Sequence, residues 1–138
     1  MTAEGGWGTD RRQKTEDCRL SKLPVETGGV LVGGLDLHNM IVYIVDIIPS
    51  PKDSIEKPYS YIRGFEGLKE KVEKINHLSG RRLDYIGEWH THQNGVRPSQ
   101  LDKLAMNEQV AEMSLAGLPA IMIIIGDKGK YKILLKQE

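Results

Sequence analysis

The sequence predicts an α/β fold in which a mixed β-sheet is flanked by helices. Apolar segments of strand length alternate with segments of helical period, in the order strand, strand, helix, strand, helix, strand, strand. One run, Ala120–Ile125, is too continuously apolar for a strand that is exposed on one face, which indicates a central strand. A strand buried on both faces needs helices packed over it, so a layered α/β arrangement follows.

The first half of the chain predicts two strands and contains a candidate third. Val30–Val32 lies between two glycine pairs and is typical of a short buried strand. Met40–Ile48 is rich in Ile and Val and predicts the second strand, joined to the first by a hairpin-sized connection. A proline-containing loop follows, and Tyr59–Ile62 is a candidate third strand.

The second half predicts two helices and the rest of the sheet. Phe65–Leu78 has apolar residues at helical spacing and ends at a Ser-Gly pair. Leu83–Trp89 predicts the next strand, and a second helix begins at Ser99. We expect its buried stripe to consist of Leu101, Leu104, Ala105 and Met113. The central strand and Tyr131–Lys136, joined by a tight turn, complete the sheet as a C-terminal hairpin.

Length and composition indicate one domain after a polar segment. Residues 1–22 show no apolar periodicity and are interpreted as a tail or linker, and residues 23–138 as the domain. Nineteen basic residues balance nineteen acidic ones, which argues against nucleic-acid partners. No apolar run is long enough for a membrane span, so no membrane role is expected. Cys18 is the only cysteine, which excludes an intrachain disulfide and favours a reducing, cytoplasmic setting.

The chemistry-bearing residues cluster from the end of the predicted strand Leu83–Trp89 onward. His90 and His92 are two residues apart and therefore point to the same side of a strand. Asp102 follows in the first turn of the next helix. Two histidines and a carboxylate leave a fourth tetrahedral position open for water, which is the pattern of a catalytic zinc site. Zinc lowers the pKa of bound water to about 7, so hydroxide becomes available at neutral pH.

A hydrolytic site also needs a base and an oxyanion donor. Glu26, at the start of the first strand, and Glu88, two residues before His90, are both candidate bases, and periodicity does not choose between them. Ser99 is a candidate oxyanion donor. Ser99 and Asp102 also have the spacing of a helix capping box, so a purely structural role stays open for the serine.

The order and spacing of these residues resemble the JAMM (JAB1/MPN/Mov34) metalloprotease signature. That signature is a distant Glu, then His-x-His, a spacer and Ser-x-x-Asp. Here it reads Glu26, His90-Thr91-His92 and Ser99-x-x-Asp102. Residues 26–33 are similar to the first-strand segment of the family, and residues 87–92 to the metal segment of its prokaryotic JAB branch. The resemblance covers about residues 25–136.

The resemblance implies a fold, a ligand set and roles for the neighbouring residues. The fold would be the MPN/JAB fold, a layered fold like that of cytidine deaminases. His90, His92 and Asp102 would bind Zn2+, Glu26 would be the general base, and Ser99 would donate to the oxyanion. The other candidate base, two residues before His90, would then be only a neighbour of the site.

The resemblance also implies a function. The family hydrolyses peptide or isopeptide bonds, most often behind the C-terminal tail of a ubiquitin-like protein, by attack of a zinc-activated water. The expected partners are a ubiquitin-like protein or its conjugate, together with E1- or E2-like proteins that are fused or encoded nearby. Two departures concern the loop before Ser99. Gln93 stands where many members have proline, and the spacer has six residues where seven is common.

Two alternatives use the same residues. One is a non-catalytic scaffold with this fold, and the other is a peptidase that processes a sulfur carrier. A zinc deaminase, which needs a Pro-Cys-x-x-Cys segment, is excluded by the lone cysteine. Metal content separates the scaffold from the enzymes, because a scaffold does not need a stoichiometric ion.

Overall fold

The computed structural model describes residues 2–4 and 7–137, within which three helices flank a six-stranded mixed sheet and a two-stranded hairpin. The strands are β1 (Thr2–Glu4), β2 (Gly28–Asp36), β3 (Ile41–Ile48), β4 (Ile55–Lys57), β5 (Ser60–Ile62), β6 (Asp84–Thr91), β7 (Ala120–Ile125) and β8 (Tyr131–Lys136). The helices are α1 (Thr9–Lys22), α2 (Leu68–Leu78) and α3 (Gln100–Ser114). The predicted α/β fold with helices flanking a mixed sheet is confirmed.

The strand order places β6 and β7 inside the main sheet. The order is β1-β3-β2-β6-β7-β8, with β1/β3 and β6/β7 parallel and the other neighbours antiparallel. Every residue of β7 is buried, which confirms Ala120–Ile125 as an internal strand. The separate hairpin pairs β4 with β5. Its second strand was predicted, whereas β4 lies in the stretch interpreted as a loop.

Each face of the sheet carries its own apolar cluster. On one face, the side chains of the inner strands pack with Trp7 and Cys18, which precede and lie within α1. On the other face, α2 covers β2 and α3 covers β7. The α2 stripe is the predicted one and consists of Leu68, Val72 and Ile75. Two helical layers therefore enclose the sheet, and no helix in the described part of the chain is long and apolar enough to cross a membrane.

Helix α1 lies where the polar composition had suggested a tail, so that interpretation is wrong for Thr9–Lys22. Besides Cys18, which packs on the sheet, the helix buries two polar side chains. Thr15 is fully buried, and its hydroxyl donates to the Arg12 carbonyl at 3.0 Å. Arg19 is also buried, with two hydrogen bonds to the Glu16 carboxylate at 2.8 and 3.0 Å. Polar groups that are satisfied locally can be buried without an apolar stripe. The proposed domain boundary after residue 22 stays a prediction.

Helix α3 packs on the sheet with a different face from the one that the sequence predicted. Leu101 and Leu104 are each 60% exposed, and Ala105 is exposed as well. The side chains that pack on β7 are instead Met106 and Val110. The predicted stripe is therefore wrong for Leu101, Leu104 and Ala105, whereas its fourth member, Met113, is half-buried. The helix keeps Met106 and Val110 against the sheet and leaves its leucines for a groove beside the candidate site, as described below.

Candidate metal centre

His90 lies near the end of β6 and His92 directly follows the strand. The burial of Trp89 determines which face of the sheet the neighbouring side chains take. Trp89 is 1% exposed in the core on one face of the sheet, and its indole N–H donates to the Ile48 carbonyl at 3.2 Å. His90 therefore points to the opposite face, because side chains alternate along a strand. His92 follows the last residue of the strand, and its backbone N–H donates to the Ile125 carbonyl at 2.8 Å. The two imidazoles lie close together, with ring centroids 5.1 Å apart.

The carboxylate comes from the first turn of α3, which a capping box positions. The Asp102 N–H donates to the Ser99 hydroxyl oxygen at 3.1 Å, and the Ser99 N–H donates to the Asp102 carboxylate at 2.8 Å. His90 Nε2 lies 2.9 Å from one carboxylate oxygen, and His92 Nε2 lies 3.0 Å from the other. Burial alone would raise the pKa of Asp102, but the hydrogen bonds from both histidines outweigh it and lower the pKa. The same contact raises the pKa of His92.

The donor set and its spacing suit a metal ion. One ligand atom from each of His90, His92 and Asp102 lies within 4.8 Å of the others. The two Nε2 atoms are 3.2 Å apart. In a tetrahedral zinc site with bonds of about 2.0 Å, neighbouring ligand atoms are about 3.3 Å apart. The 3.2 Å between the two Nε2 atoms is close to that edge. Each imidazole contacts a different oxygen of Asp102, at 2.9 and 3.0 Å, so the carboxylate lies within reach of an ion held by both histidines.

Glu26 lies beside this trio. The residue precedes β2 and is only 7% exposed. Burial raises the pKa of its carboxyl, while His92 and His90 act in the opposite direction. Its backbone N–H donates to the Lys57 carbonyl at 2.8 Å, which ties it to the β4–β5 hairpin. A partly desolvated carboxylate held next to metal ligands has the environment that a general base needs.

The hydroxyl of Ser99 can serve as both a cap and a donor. Its oxygen accepts the Asp102 N–H, but its proton has no acceptor among the described residues. The side chain is exposed and lines the same cleft as Glu26 and His92. The two interpretations of Ser99 are therefore compatible, because capping uses the oxygen and leaves the proton free.

The site opens into two connected depressions. A cleft of about 220 Å³ holds Glu26, His92 and Ser99, and a groove of about 450 Å³ runs past His90. The depressions share Tyr61, Leu101 and Asp102. The apolar wall of the groove includes Ile62, Leu101, Leu104 and Ala105. The exposed face of α3 therefore lines a path that passes directly over the candidate metal ligands.

A family model describes nearly the whole of this fold and site. Residues 11–135 match the model of prokaryotic homologs of the JAB domain. The chain belongs to this prokaryotic JAB family. The match confirms the resemblance seen in the signature residues and includes most of α1.

Two curated proteins are similar to this JAB domain. One is a CD-NTase/cGAS isopeptidase from Enterobacter hormaechei subsp. hoffmannii, 33% identical over 111 residues that make up 78% of this chain and 60% of that protein. The other is a probable metalloprotease from Sinorhizobium fredii, 27% identical over 103 residues, 73% of this chain and 62% of that protein. The chain spans about 60% of the length of these relatives.

Solved structures support the fold alone. A protein from Desulfitobacterium hafniense, determined in solution, has a TM-score of 0.59 and 16% identity, with 99% of this chain and 86% of that chain covered. A JAB1/MPN domain protein from Archaeoglobus fulgidus has a TM-score of 0.50 and 16% identity, with 98% of this chain and 89% of that chain covered. The JAB/MPN fold implied by the signature is thus confirmed.

Glu88, the second candidate base, is engaged elsewhere in the JAB domain. Its carboxylate accepts hydrogen bonds from Arg63 Nε and from the Tyr85 hydroxyl, each at 2.5 Å. Gln109 of α3 in turn donates to the Tyr85 hydroxyl at 3.2 Å. These contacts fasten β6 to α3 and to the end of β5, below the groove. Glu88 therefore lies next to the site with its acceptors occupied, whereas Glu26 faces the cleft.

The β4–β5 hairpin, whose second strand lines the cleft, was only partly predicted from the sequence. Glu56 of β4 accepts hydrogen bonds from Thr27 and Lys22, so the hairpin is fastened to both β2 and α1. Tyr61 of β5 packs over Gly28, where an added Cβ would overlap the tyrosine ring and the Trp89 carbonyl. Gly28 was noticed in the sequence as part of the glycine pair before the predicted strand Val30–Val32. Its role in admitting the tyrosine depends on a contact between residues 33 apart, which no local pattern reports.

Proposed function

We propose that this chain is a zinc-dependent peptidase or isopeptidase that cleaves behind the C-terminal tail of a ubiquitin-like protein. The observation that carries the proposal is the convergence of His90, His92 and Asp102 with Glu26 and Ser99 in one open cleft. Membership of the JAB family supports it, as do the names of the two relatives, an isopeptidase and a probable metalloprotease.

His90, His92 and Asp102 would hold the ion. When bound there, zinc would lower the pKa of water and polarise the carbonyl of the scissile bond. The Glu26 carboxylate accepts the proton of the attacking water and returns it to the leaving amine. Burial raises the pKa of Glu26, which makes the carboxylate a stronger base than a solvent-exposed one. The Ser99 hydroxyl donates its free proton to the oxyanion that develops on the carbonyl oxygen.

The shape of the site favours an extended tail as substrate. Strand β5 lines both depressions and, among the described residues, pairs only with β4. Its other edge is therefore available to hydrogen-bond an extended chain, which is the strand-addition mode of peptide recognition. The exposed leucines of α3 would take apolar side chains of that tail in the groove. A flexible tail reaches such a groove, whereas a folded surface does not.

The proposed partners follow from the substrate. A ubiquitin-like protein or its conjugate would be the substrate, and the E1- and E2-like proteins that build such a conjugate would act in the same pathway. The isopeptidase name of the Enterobacter relative supports a conjugate over a free peptide. A non-catalytic scaffold is disfavoured because the ligand trio, the base and the serine are all present together.

The decisive assay uses a fusion of a ubiquitin-like protein to a reporter. With zinc added, we expect the wild-type chain to release the reporter at the end of the tail. Glu26→Gln keeps the shape and removes the base, so the rate should fall by about 10²–10⁴ while stoichiometric zinc is retained. Glu73→Gln, on the exposed side of α2, is the matched control and should cleave like wild type. Equal rates for wild type and Glu26→Gln would contradict the mechanism. If the purified protein neither holds stoichiometric zinc nor cleaves the fusion, the result would support the alternative of a non-catalytic scaffold.

A further inference from the structure

The loop from His92 to Ser99 joins the last histidine to the serine, so its position determines the geometry of the whole site. Within the part of the chain that the structure describes, the backbone groups of residues 93–98 form one hydrogen bond to a side chain and none to another backbone group outside strands and helices. The six-residue loop is thus not part of a hydrogen-bonded ladder. Something other than its own backbone must hold it in place.

The outer side of the loop rests on the turn between β7 and β8. The Gly95 N–H donates to Asp127 Oδ1 at 3.0 Å. The turn is itself closed by two backbone bonds, from Gly126 N–H to the Lys130 carbonyl at 2.9 Å and from Lys130 N–H to the Asp127 carbonyl at 3.0 Å. Asp127 therefore presents its carboxylate from a hydrogen-bonded turn at the end of a buried strand.

The loop and the turn are also in tight contact. A Cβ on Gly126 would overlap the Gly95 carbonyl and crowd the Val96 side chain. Gly95 itself has a φ of +65°, a left-handed conformation that glycine adopts most readily. The chain thus reverses at Gly95 against the turn, at a point where both the backbone conformation and the contact are specified.

The inner side of the loop is held by Gln93, whose amide donates to the Pro58 carbonyl at 2.6 Å. Gln93 lines the cleft, so a change there would also alter substrate contacts. Asp127 differs, because it lines neither the cleft nor the groove. Any effect of Asp127 on the reaction must pass through the loop.

We propose that Asp127 is a positioning residue that braces the short loop, with Gln93 as its counterpart on the hairpin side, and thereby holds Ser99 at the candidate site. The catalytic part of this inference rests on the proposed function, whereas the structural part does not. The Gly95 N–H also lowers the pKa of Asp127, so the acceptor is ionised at neutral pH. A hydrogen bond to a charged acceptor is stronger than one between neutral groups.

The test follows amide hydrogen exchange in residues 93–99 and the steady-state rate on the tail fusion in the same variants. Asp127→Ala should speed exchange at least tenfold at the Gly95 and Ser99 amides, the two described backbone amides of this segment that donate hydrogen bonds. It should lower kcat by about 10-fold to 100-fold with KM within about twofold, because a small displacement of a catalytic group is costly. Asp127→Asn keeps an oxygen acceptor and should recover most of both losses. Lys128→Gln, in the same turn and outside the site, should match wild type.

A second variant guards against simple misfolding. Gly126→Ala retains Asp127 but presses on Gly95, and should raise exchange in residues 93–99 while the melting transition stays cooperative. Unchanged exchange in Asp127→Ala, or an Asp127→Asn protein as impaired as Asp127→Ala, would overturn the brace. If the wild-type chain cleaves nothing, the proposed function fails, and the exchange series still decides whether Asp127 holds the loop.

Discussion

Helices α2 and α3 pack on the same face of the sheet but differ in the contacts that hold them in place. Helix α2 buries Leu68 against β2, and its first residue follows Gly67, which makes no side-chain capping bond. Helix α3 is capped by the box between Ser99 and Asp102, and two of its four buried residues are polar. Its leucines face the groove. Packing on the core therefore holds α2, whereas α3 divides its side chains between core, cap and cleft.

The comparison shows why apolar periodicity predicts one helix better than the other. A helix with a single apolar neighbour displays one stripe, and its orientation follows from the sequence. A helix that borders both a core and a substrate groove has apolar residues on two sides, so no single stripe indicates which one faces inward. Four substitutions, taken in order of decreasing effect, test this difference.

The largest effect is expected at Asp102. Asp102→Ala removes a carboxylate that both histidines contact and that caps α3. Zinc affinity should fall by more than about 100-fold, and cleavage should be lost with it. Titration with zinc followed by metal analysis measures the loss. Glu112→Ala, on an exposed position of the same helix, should bind zinc like wild type, and equal affinity in both variants would exclude Asp102 as a ligand.

The largest effect on stability alone is expected in α2. Leu68 is 8% exposed, so Leu68→Ala should lower the free energy of unfolding by about 2–5 kcal/mol. Zinc stoichiometry of the folded protein should not change. Urea denaturation gives the value, with Leu78→Ala as the control because Leu78 is 73% exposed at the end of the same helix. A loss below about 0.5 kcal/mol for Leu68→Ala would mean that the core does not hold α2.

A smaller loss of stability is expected at the cap of α3. Ser99→Ala removes the acceptor of the Asp102 N–H and should cost about 1 kcal/mol in the free energy of unfolding. If the hydroxyl also serves the oxyanion, kcat should fall by about 10²-fold or more, with KM nearly unchanged. Ser99→Thr retains the hydroxyl and should preserve most of both. A loss of stability without any loss of kcat would leave Ser99 as a cap only.

The smallest effect on stability is expected at Leu104. Its side chain is 60% exposed, so Leu104→Ala should change the free energy of unfolding by less than about 0.5 kcal/mol. Because it lines the groove, the same change should raise KM for the tail fusion several-fold. Leu115→Ala, 90% exposed beyond the end of α3, is the matched control and should alter neither quantity. Strong destabilisation by Leu104→Ala would place this leucine in the core, as the sequence had predicted.

The elements that the sequence predicted are those with one dominant local signal. Ala120–Ile125 is uniformly apolar and is buried throughout, and the α2 stripe repeats at helical spacing. The candidate metal ligands were also predictable. His90 and His92 are two residues apart on a strand and so point to the same face. Asp102 lies in the first turn of the helix that follows, which brings the three candidate ligands near one another.

The elements that were missed depend on polar or distant contacts. Helix α1 buries Thr15 and Arg19, whose polar groups bond to neighbouring carbonyls and to Glu16, so composition alone suggested a tail. Strand β4 has three residues and is held by pairing with β5 and by Glu56. The brace at Asp127 joins residues 32 apart. Local propensity carries no information about such contacts, which become visible only when the chain is folded.

The shared use of one carboxylate has a thermodynamic consequence. Asp102 closes the first turn of α3 and also belongs to the candidate ligand trio, so formation of that turn and the proposed capture of an ion would be linked equilibria. Part of the binding free energy must appear as added stability of the helix, and any fraying of the helix must weaken binding equally. The start of α3 would then report occupancy of the site, with the unloaded protein opening there before the core of the sheet does.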